Sequence, residues 1–223
     1  MASTGVTALD KLLGEDGYPD RSAVLIIGPP GVAKEALAYW FTHSGLVQGD
    51  FCVYITRISV REVLQDQRVF GIDVDKVPFW IAGEGGQIKY DLDDLAGFSY
   101  SIKEVLKKNS DRRIRIATDV LSPLLMLNPT ETIYRFLSQL FVDIKKYDAV
   151  FLATVEEGMH RAQALTAMQQ VFDGVLELKL YQEGLRLHSL LQIVKMRGIP
   201  TQPGFYNFIL SKNGMEITEY AKQ

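Results

Sequence analysis

The sequence predicts an α/β fold in which a mostly parallel sheet, with helices on both faces, is followed by C-terminal antiparallel hairpins. Three observations point there. Short apolar runs alternate with segments of helical period from residue 23 to residue 153, a Gly-Pro-Pro-Gly turn joins the first run to a helix, and beyond residue 174 apolar stretches are separated by tight-turn residues alone. Alternating strands and helices imply parallel pairing, because a right-handed crossover lays each helix over the sheet.

The first strand is Ala23-Val24-Leu25-Ile26-Ile27, an apolar run that stops at Gly28-Pro29-Pro30-Gly31. From Lys34 to Val47 the apolar positions Ala38, Phe41 and Leu46 keep a helical period, and Gly49 closes the segment. Tyr39, Trp40 and Phe41 are assigned to the core, since three successive helical residues point in three directions and make no stacking platform. Phe51 to Ile55 is the next strand, Val60 to Phe70 a helix ending at Gly71, and Phe79 to Ala82 a short strand. Asp93 to Lys108 is a helix whose acidic start, Asp91-Leu92-Asp93-Asp94, suits a helix N-terminus. Ile114 to Thr118 is a strand ending at Asp119, Thr130 to Lys146 a helix, and Ala149 to Ala153 the fifth strand. Then the rhythm changes. Val175 to Tyr181, Leu185 to Met196, Phe205 to Leu210 and Met215 to Ile217 are separated by Gln182-Glu183-Gly184, Gly198-Ile199-Pro200 and Lys212-Asn213-Gly214, the pattern of hairpins. No repeat, low-complexity tract or linker divides the chain, so residues 1–223 are expected to form one domain.

Composition narrows the function classes. With 47% hydrophobic and 23% charged residues the chain has the balance of a folded globular protein, which excludes disorder and fibrous repeats. Twenty-four Lys and Arg against 27 Asp and Glu leave a formal net charge of -3, which argues against a surface built to hold nucleic acid. One cysteine, Cys52, and three scattered His leave no intramolecular disulfide and no Cys/His zinc cluster. No run approaches the roughly 18 apolar residues of a membrane span, and Met1-Ala2-Ser3-Thr4-Gly5 lacks the regions of a signal peptide, so a cytoplasmic protein is expected.

Candidate chemistry begins at the glycine turn. A strand, a glycine turn and a helix are the setting of a phosphate-binding loop. Gly28-Pro29-Pro30-Gly31-Val32-Ala33-Lys34-Glu35 occupies that setting but departs from G-x-x-x-x-G-K-[ST] at two of four defined positions. Gly28 and Lys34 are kept. Ala33 replaces the second glycine, a mild change if that residue has ordinary helical dihedrals. Glu35 stands where the pattern has a magnesium-binding hydroxyl, and a carboxylate there repels a phosphate by about 4 kcal/mol at about 4 Å and an effective dielectric near 20. A metal between carboxylate and phosphate, or rotation of Glu35 outward to a cation, relieves that repulsion. Asp119 is a second candidate, placed to hold a magnesium-bound water at the carboxyl edge of a parallel sheet, with Ser122 following. An Asp there is also an ordinary turn or cap residue. Lys195 and Arg197 share one face of a strand while Val194 and Met196 are expected to face the core, and two converging cations suit a phosphate. A solvated strand face has the same pattern.

Taken together, five segments resemble, in order and spacing, the single-domain KaiC-like branch of the RecA superfamily. They are Thr4-Gly5-Val6-Thr7-Ala8-Leu9-Asp10-Lys11-Leu12-Leu13-Gly14 before the first strand, Gly28-Pro29-Pro30-Gly31-Val32-Ala33-Lys34 after it, Asp119-Val120-Leu121-Ser122, Phe172-Asp173-Gly174-Val175 and Val194-Lys195-Met196-Arg197-Gly198. The resemblance implies a RecA-like core, with ATP or ADP held by the loop from Gly28 to Glu35. It implies Asp119 as the acid of the second nucleotide motif, Glu35 and Asp119 toward Mg2+, and Lys195 with Arg197 reaching the nucleotide of a neighbouring protomer. It also implies a homo-oligomeric ring, often of six subunits. Members of that branch usually carry two consecutive Glu just after the second strand, one of which polarises the attacking water. Here Tyr54-Ile55-Thr56-Arg57-Ile58-Ser59-Val60 has no acid before Glu62, which falls in the next helix. The metal hydroxyl and the water-activating carboxylate are each worth on the order of a few powers of ten. A degenerate Walker A motif with impaired hydrolysis is therefore expected, in a regulatory or assembly module whose protein partner the sequence does not identify.

Two other functions stay open. An active ATPase would take magnesium on Glu35 and its base from Glu156 or Glu157 after the fifth strand. A recombination or repair accessory would use the basic cluster Lys107, Lys108, Arg112, Arg113 and Arg115, which also has the pattern of a solvated turn. His43, His160 and His188 are isolated and carry no assigned role.

Overall fold

The computed structural model describes residues 1–14, 16–73, 80–82, 91–201, 203–211 and 214–220, with the backbone alone described for 80–82. In chain order the elements are α1 (Thr7–Leu12), β1 (Ala23–Gly28), α2 (Lys34–Val47), β2 (Phe51–Ile55), α3 (Val60–Val69), β3 (Trp80–Ala82), α4 (Leu95–Lys108), β4 (Ile114–Thr118), α5 (Leu121–Leu127), α6 (Thr130–Lys146), β5 (Ala149–Glu156), α7 (Ala162–Val171), β6 (Gly174–Glu183), β7 (Arg186–Met196), β8 (Tyr206–Ser211) and β9 (Gly214–Glu219). Among the described residues the strands form a nine-stranded sheet in the order β3-β2-β4-β5-β1-β6-β7-β8-β9. Pairing is parallel from β3 through β6 and antiparallel from β6 to β9, as the alternation and the terminal turns predict.

β1, β2 and β4 are buried along their whole length, so both faces of the sheet must be covered. One face carries Ala23, Leu25, Ile27, Val53 and Ile116 against α4, α5, α6 and α7. The other carries Val24, Ile26, Tyr54, Ala117 and Leu152 against α1, α2 and α3. Successive strand residues therefore alternate between two separate cores. Tyr39 and Phe41 are buried as expected, whereas Trp40 is only partly so.

Several details differ from the sequence-based expectation. Helices α1, α5 and α7 have no counterpart in it. The first two are six and seven residues long, too short for a period to register. In α5, Pro123 sits third, where its missing N–H forfeits no intrahelical bond, and α7 buries only Ala164 and Met168. β5 runs on to Glu156, past the expected end at Ala153. Phe79, expected to open the third strand, and Lys212 and Asn213, expected in the last turn, lie outside the described residues. In the β6–β7 ladder Val175 pairs with Lys195 but Leu176 pairs with Ile193, so Val194 is the extra residue of a β-bulge. Val194 is consequently exposed, a correction to its expected core position, while Met196 is buried as expected.

Arg115, part of the basic cluster in the sequence, is wholly buried instead. Its Nε donates to Asp50 Oδ2 at 2.6 Å, its Nη1 to the carbonyls of Ser3 (2.6 Å) and Phe41 (3.0 Å), and its Nη2 to Gln48 Oε1 at 2.8 Å. Gly45 admits the side chain, since a Cβ there would run into Arg115 Cδ and Cys52 Sγ. One guanidinium thus ties β4 to α2, to the start of β2 and to the N-terminal segment. Asp10 holds that segment from the other side, accepting from the Thr4 N–H and the Ser3 hydroxyl, both at 2.7 Å. Gly5, at φ +82, packs against the Trp40 carbonyl where no Cβ fits. The motif from Thr4 to Gly14 is therefore a structural clasp. Arg113 pairs with Asp20 and Asp148, and Arg112 lies over the Phe51 ring, so much of the basic cluster is engaged within the fold. Removing one member of a buried ion pair strands the other, so Arg115→Met is expected to lower the unfolding free energy by about 3 to 5 kcal/mol in a denaturant titration. A loss under about 1 kcal/mol would show that the clasp holds without it.

Candidate functional site

The carboxyl ends of β1, β2, β4 and β5 meet over a cavity of about 270 Å³ lined by Lys34, Glu35, Thr56, Arg57, Asp119, Ser122 and Glu156, among others. Parallel strands deliver their C-termini, and the turns behind them, to one edge of the sheet. Lys34, Glu35 and Asp119, all predicted from sequence, come together here. Lys195 and Arg197 do not.

The loop that precedes Lys34 turns tightly. Gly28 has Val32 Cγ1 and Leu178 Cβ where its own Cβ would stand, and Gly31 adopts φ +82. Pro29 and Pro30 bring a fixed φ and no N–H, and the Pro29 carbonyl accepts from the Val32 N–H at 3.4 Å. Ala33 is left-handed, at φ 58 and ψ 41, and forms the N-cap of α2 without a side-chain hydrogen bond. The expected helical dihedrals are thus corrected, and alanine bears a cost of about 1 kcal/mol there that glycine avoids. Lys34 and Glu35 open α2, so their N–H groups have no intrahelical acceptors and form the positive end of the helix.

Lys34 sets the electrostatics. Its side chain is 2% exposed, and its ammonium donates to Glu156 Oε1 at 2.6 Å with Glu35 Oε1 at 3.1 Å. Glu35 therefore turns toward the loop lysine and not outward to a separate cation. Ser122 Oγ accepts the Glu156 N–H at 2.8 Å and fixes the end of β5. Asp119 accepts from the hydroxyls of Thr56 at 2.6 Å and Tyr54 at 3.2 Å. Burial outweighs these bonds and, with a smaller contribution from Glu35, pushes the Asp119 carboxyl from 3.8 up to about 6. Burial and Asp119 hold the Tyr54 phenol well above its ordinary value, so it remains a donor. Among the described residues no group of three or more His, Cys, Asp and Glu stands ready to hold a metal, so Glu35 and Asp119 could supply only part of a coordination shell.

No acid follows β2 into the cavity. Thr56 turns to Asp119, and Arg57 lines the wall. Glu62 is committed to a capping box at α3, where its Oε2 accepts from the Ser59 N–H at 2.9 Å and the Ser59 hydroxyl at 2.7 Å. Those bonds hold the Glu62 carboxyl below its usual value. Thr56 has no role in the sequence-based picture, and Glu156 figures there only as an alternative base. Both carry a readable signal, a polar residue closing an otherwise apolar strand.

At the other end of β1 the Lys195 ammonium donates to the Phe172 carbonyl at 2.6 Å, and Arg197 Nη1 donates to Asp173 Oδ1 at 2.8 Å. That oxygen also accepts from Lys145 Nζ at 2.9 Å, while Asp173 Oδ2 accepts the Ala23 N–H at 3.1 Å. The two cations thus bond neighbouring groups of their own chain, the Phe172 carbonyl and the Asp173 carboxylate. Ala23 opens β1 and Gly28 closes it, so at about 3.3 Å per residue this cluster stands roughly 17 Å from the loop.

Asp119 gives the site a pH signature. Because its folded value is raised, its contribution to stability is fully present below about pH 4 and is lost as pH rises through about 6, a swing of roughly 3 kcal/mol. Asp119→Asn is therefore expected to be more stable than wild type at pH 8, with the difference vanishing toward pH 4. Equal stability at both values would show that the carboxylate is not desolvated.

No described helix is long and apolar enough to cross a membrane. A family model described as "ATPase: KaiC" matches residues 2–222. The circadian clock protein KaiC2 of Synechocystis sp. is 23% identical over 225 residues, covering 97% of this chain but 39% of its own length. The chain thus spans well under half of that relative. A UPF0273 protein of Pyrococcus furiosus is 24% identical over 236 residues, covering 96% of this chain and 92% of its own. The crystal structure of a KaiC-like protein from Pyrococcus horikoshii OT3 superposes with a TM-score of 0.80 at 21% identity, covering 97% of both chains, and shares the fold. With a RecA-like sheet, a phosphate-loop segment where β1 meets α2 and a family match along nearly its whole length, the chain belongs to the KaiC ATPase family.

Proposed function

We propose that the chain is an ATP- or ADP-binding member of this family with weak or no hydrolysis, acting as a ring-forming regulatory or assembly module. The observation that carries this function is the neutralisation of Lys34 by Glu156 and Glu35. A polyphosphate arriving at the loop meets N–H groups that suit it and carboxylates that repel it. The backbone fits a phosphate, with Gly31 and Ala33 left-handed and the first turn of α2 open. The side chains fit one only in the company of a divalent cation, for which Glu35 and Asp119 are the available ligands. Magnesium, when bound, supplies the charge compensation that Lys34 no longer offers.

Hydrolysis further requires a group that activates water. After β2 the chain offers Thr56 and Arg57 where the family resemblance leads one to expect acids. Glu156 is engaged by Lys34, which argues against its service as the base. Lys195 and Arg197 support the ring, because at roughly 17 Å from their own loop they meet a phosphate site only on another copy, and a repeated head-to-tail contact closes on itself. Six subunits is the number the resemblance implies.

Steady-state phosphate release from Mg-ATP is expected to stay well below about 1 per second, and a turnover at or above that value overturns the loss of catalysis. In calorimetry, Ala33→Gly with Glu35→Thr is expected to tighten Mg-ATP binding by about tenfold or more, since it removes the carboxylate and the left-handed alanine together. Unchanged affinity would show that the loop takes no phosphate or that the Glu35 carboxylate is already compensated, and would overturn its role in weakening binding.

A further inference from the structure

We propose that the carboxylates at the phosphate loop are the docking partner for the cations at the opposite end of the sheet in a second copy of this chain, so that copies associate head to tail with no nucleotide present. This rests on the ring proposed above and adds its regulation: Glu35 and Glu156 occupy the place a phosphate would fill, and assembly is freed from nucleotide.

The two ends of the sheet carry opposite charge. Around Asp173, whose side chain is 6% exposed, stand Lys145, Lys195 and Arg197, so that cluster keeps an excess of positive charge. Arg197 is 70% exposed and Lys145 is 44% exposed, which leaves both able to turn to a partner. At the other end Glu35, Asp119 and Glu156 face Lys34 and Arg57, and Lys34 is buried and already shared between two carboxylates. Glu35 and Glu156 remain 30% and 28% exposed toward the cavity. Glu157, whose N–H donates to the Gly28 carbonyl at 2.9 Å, adds a further acid beside the loop.

Within one copy these groups cannot meet, because β1 separates them by roughly 17 Å. They lie at opposite ends of the same strands, so the contact that joins them runs head to tail and repeats. A guanidinium matches a carboxylate as well as a phosphate, through paired N–H donors. Single exposed ion pairs are weak, and the contact depends on several cations meeting several carboxylates at once. Met159, 51% exposed on the cavity rim, supplies an apolar surface beside them.

The test is sedimentation velocity on the full chain stripped of nucleotide, over a salt series and again with Mg-ATP. Wild type is expected to be oligomeric without nucleotide and to dissociate as salt rises. Arg197→Glu and Glu35→Arg are each expected to weaken association by about a hundredfold or more, and an equal mixture of the two to restore it, because each contact in an alternating assembly pairs unlike charges. Circular dichroism checks that each variant is folded, and Lys145→Glu replaces Arg197→Glu if that one is not. An oligomer that forms only with nucleotide overturns this inference and leaves the ring intact. A monomer under every condition overturns both. A nucleotide-free oligomer indifferent to salt, or folded variants whose mixture fails to assemble, overturns the inference by itself.

Discussion

A lysine ammonium buried at the mouth of a parallel sheet cannot go unpaired, and the carboxyl edge of this protein is arranged around that requirement. Lys34 is placed by the loop after β1 and is almost wholly enclosed. The penalty for an isolated charge there is several kcal/mol, and Glu156 and Glu35 relieve it. Ser122 fixes the end of β5 so that Glu156 arrives at hydrogen-bonding distance. Asp119 is then a further carboxylate in a desolvated pocket, which is why it resists ionisation. In a site that takes phosphate readily, the loop lysine holds charge in reserve for its ligand. Here most of that charge is spent within the chain.

The same rule governs the other buried charges. Arg115 sits inside the sheet because Asp50, Gln48 and two backbone carbonyls use its donors. Asp173 is tolerated at the opposite end of β1 because Lys145, Arg197 and the Ala23 N–H surround it. Among the described residues Asp143 is likewise buried and paired, with Lys103 and Lys146, while Lys34 and Asp173 mark the charged centres at the two ends of the strands. The two at the ends differ in sign, acidic at the loop and basic at Asp173. Within a single protomer the two stand roughly 17 Å apart.

Legibility in the sequence followed the strength of the local signal. The strand at Ala23, the helix at Lys34 and the helix from Thr130 to Lys146 are marked by an abrupt apolar run, a Gly-Pro break and a sustained period, and each lies where those signals put it. The bulge at Val194 has no signature in composition, because one inserted residue changes the pairing and not the residue types. The left-handed backbone at Ala33 is legible only through the motif, whose pattern has glycine there, since alanine itself gives no hint of a positive φ. Arg115 carries a readable signal, because a lone cation within Ile114-Arg115-Ile116-Ala117 points to a buried and paired charge as well as to a surface. The role of Glu156 depends on β5 running beyond its apolar stretch and carrying this residue level with Gly28. The partnership between Lys34 and Glu156 joins residues far apart in the chain, and only the parallel register of β1 with β5 makes it visible.

The most direct test of the account is calorimetric titration of Mg-ATP into wild type and Glu156→Gln, with magnesium in fixed excess. If the ammonium of Lys34 is withheld from phosphate by its carboxylate partner, the amide variant is expected to bind about tenfold more tightly or better, a gain of roughly 1.4 kcal/mol. Affinity that is unchanged or weaker in the variant would contradict the claim that this lysine's charge is spent within the chain.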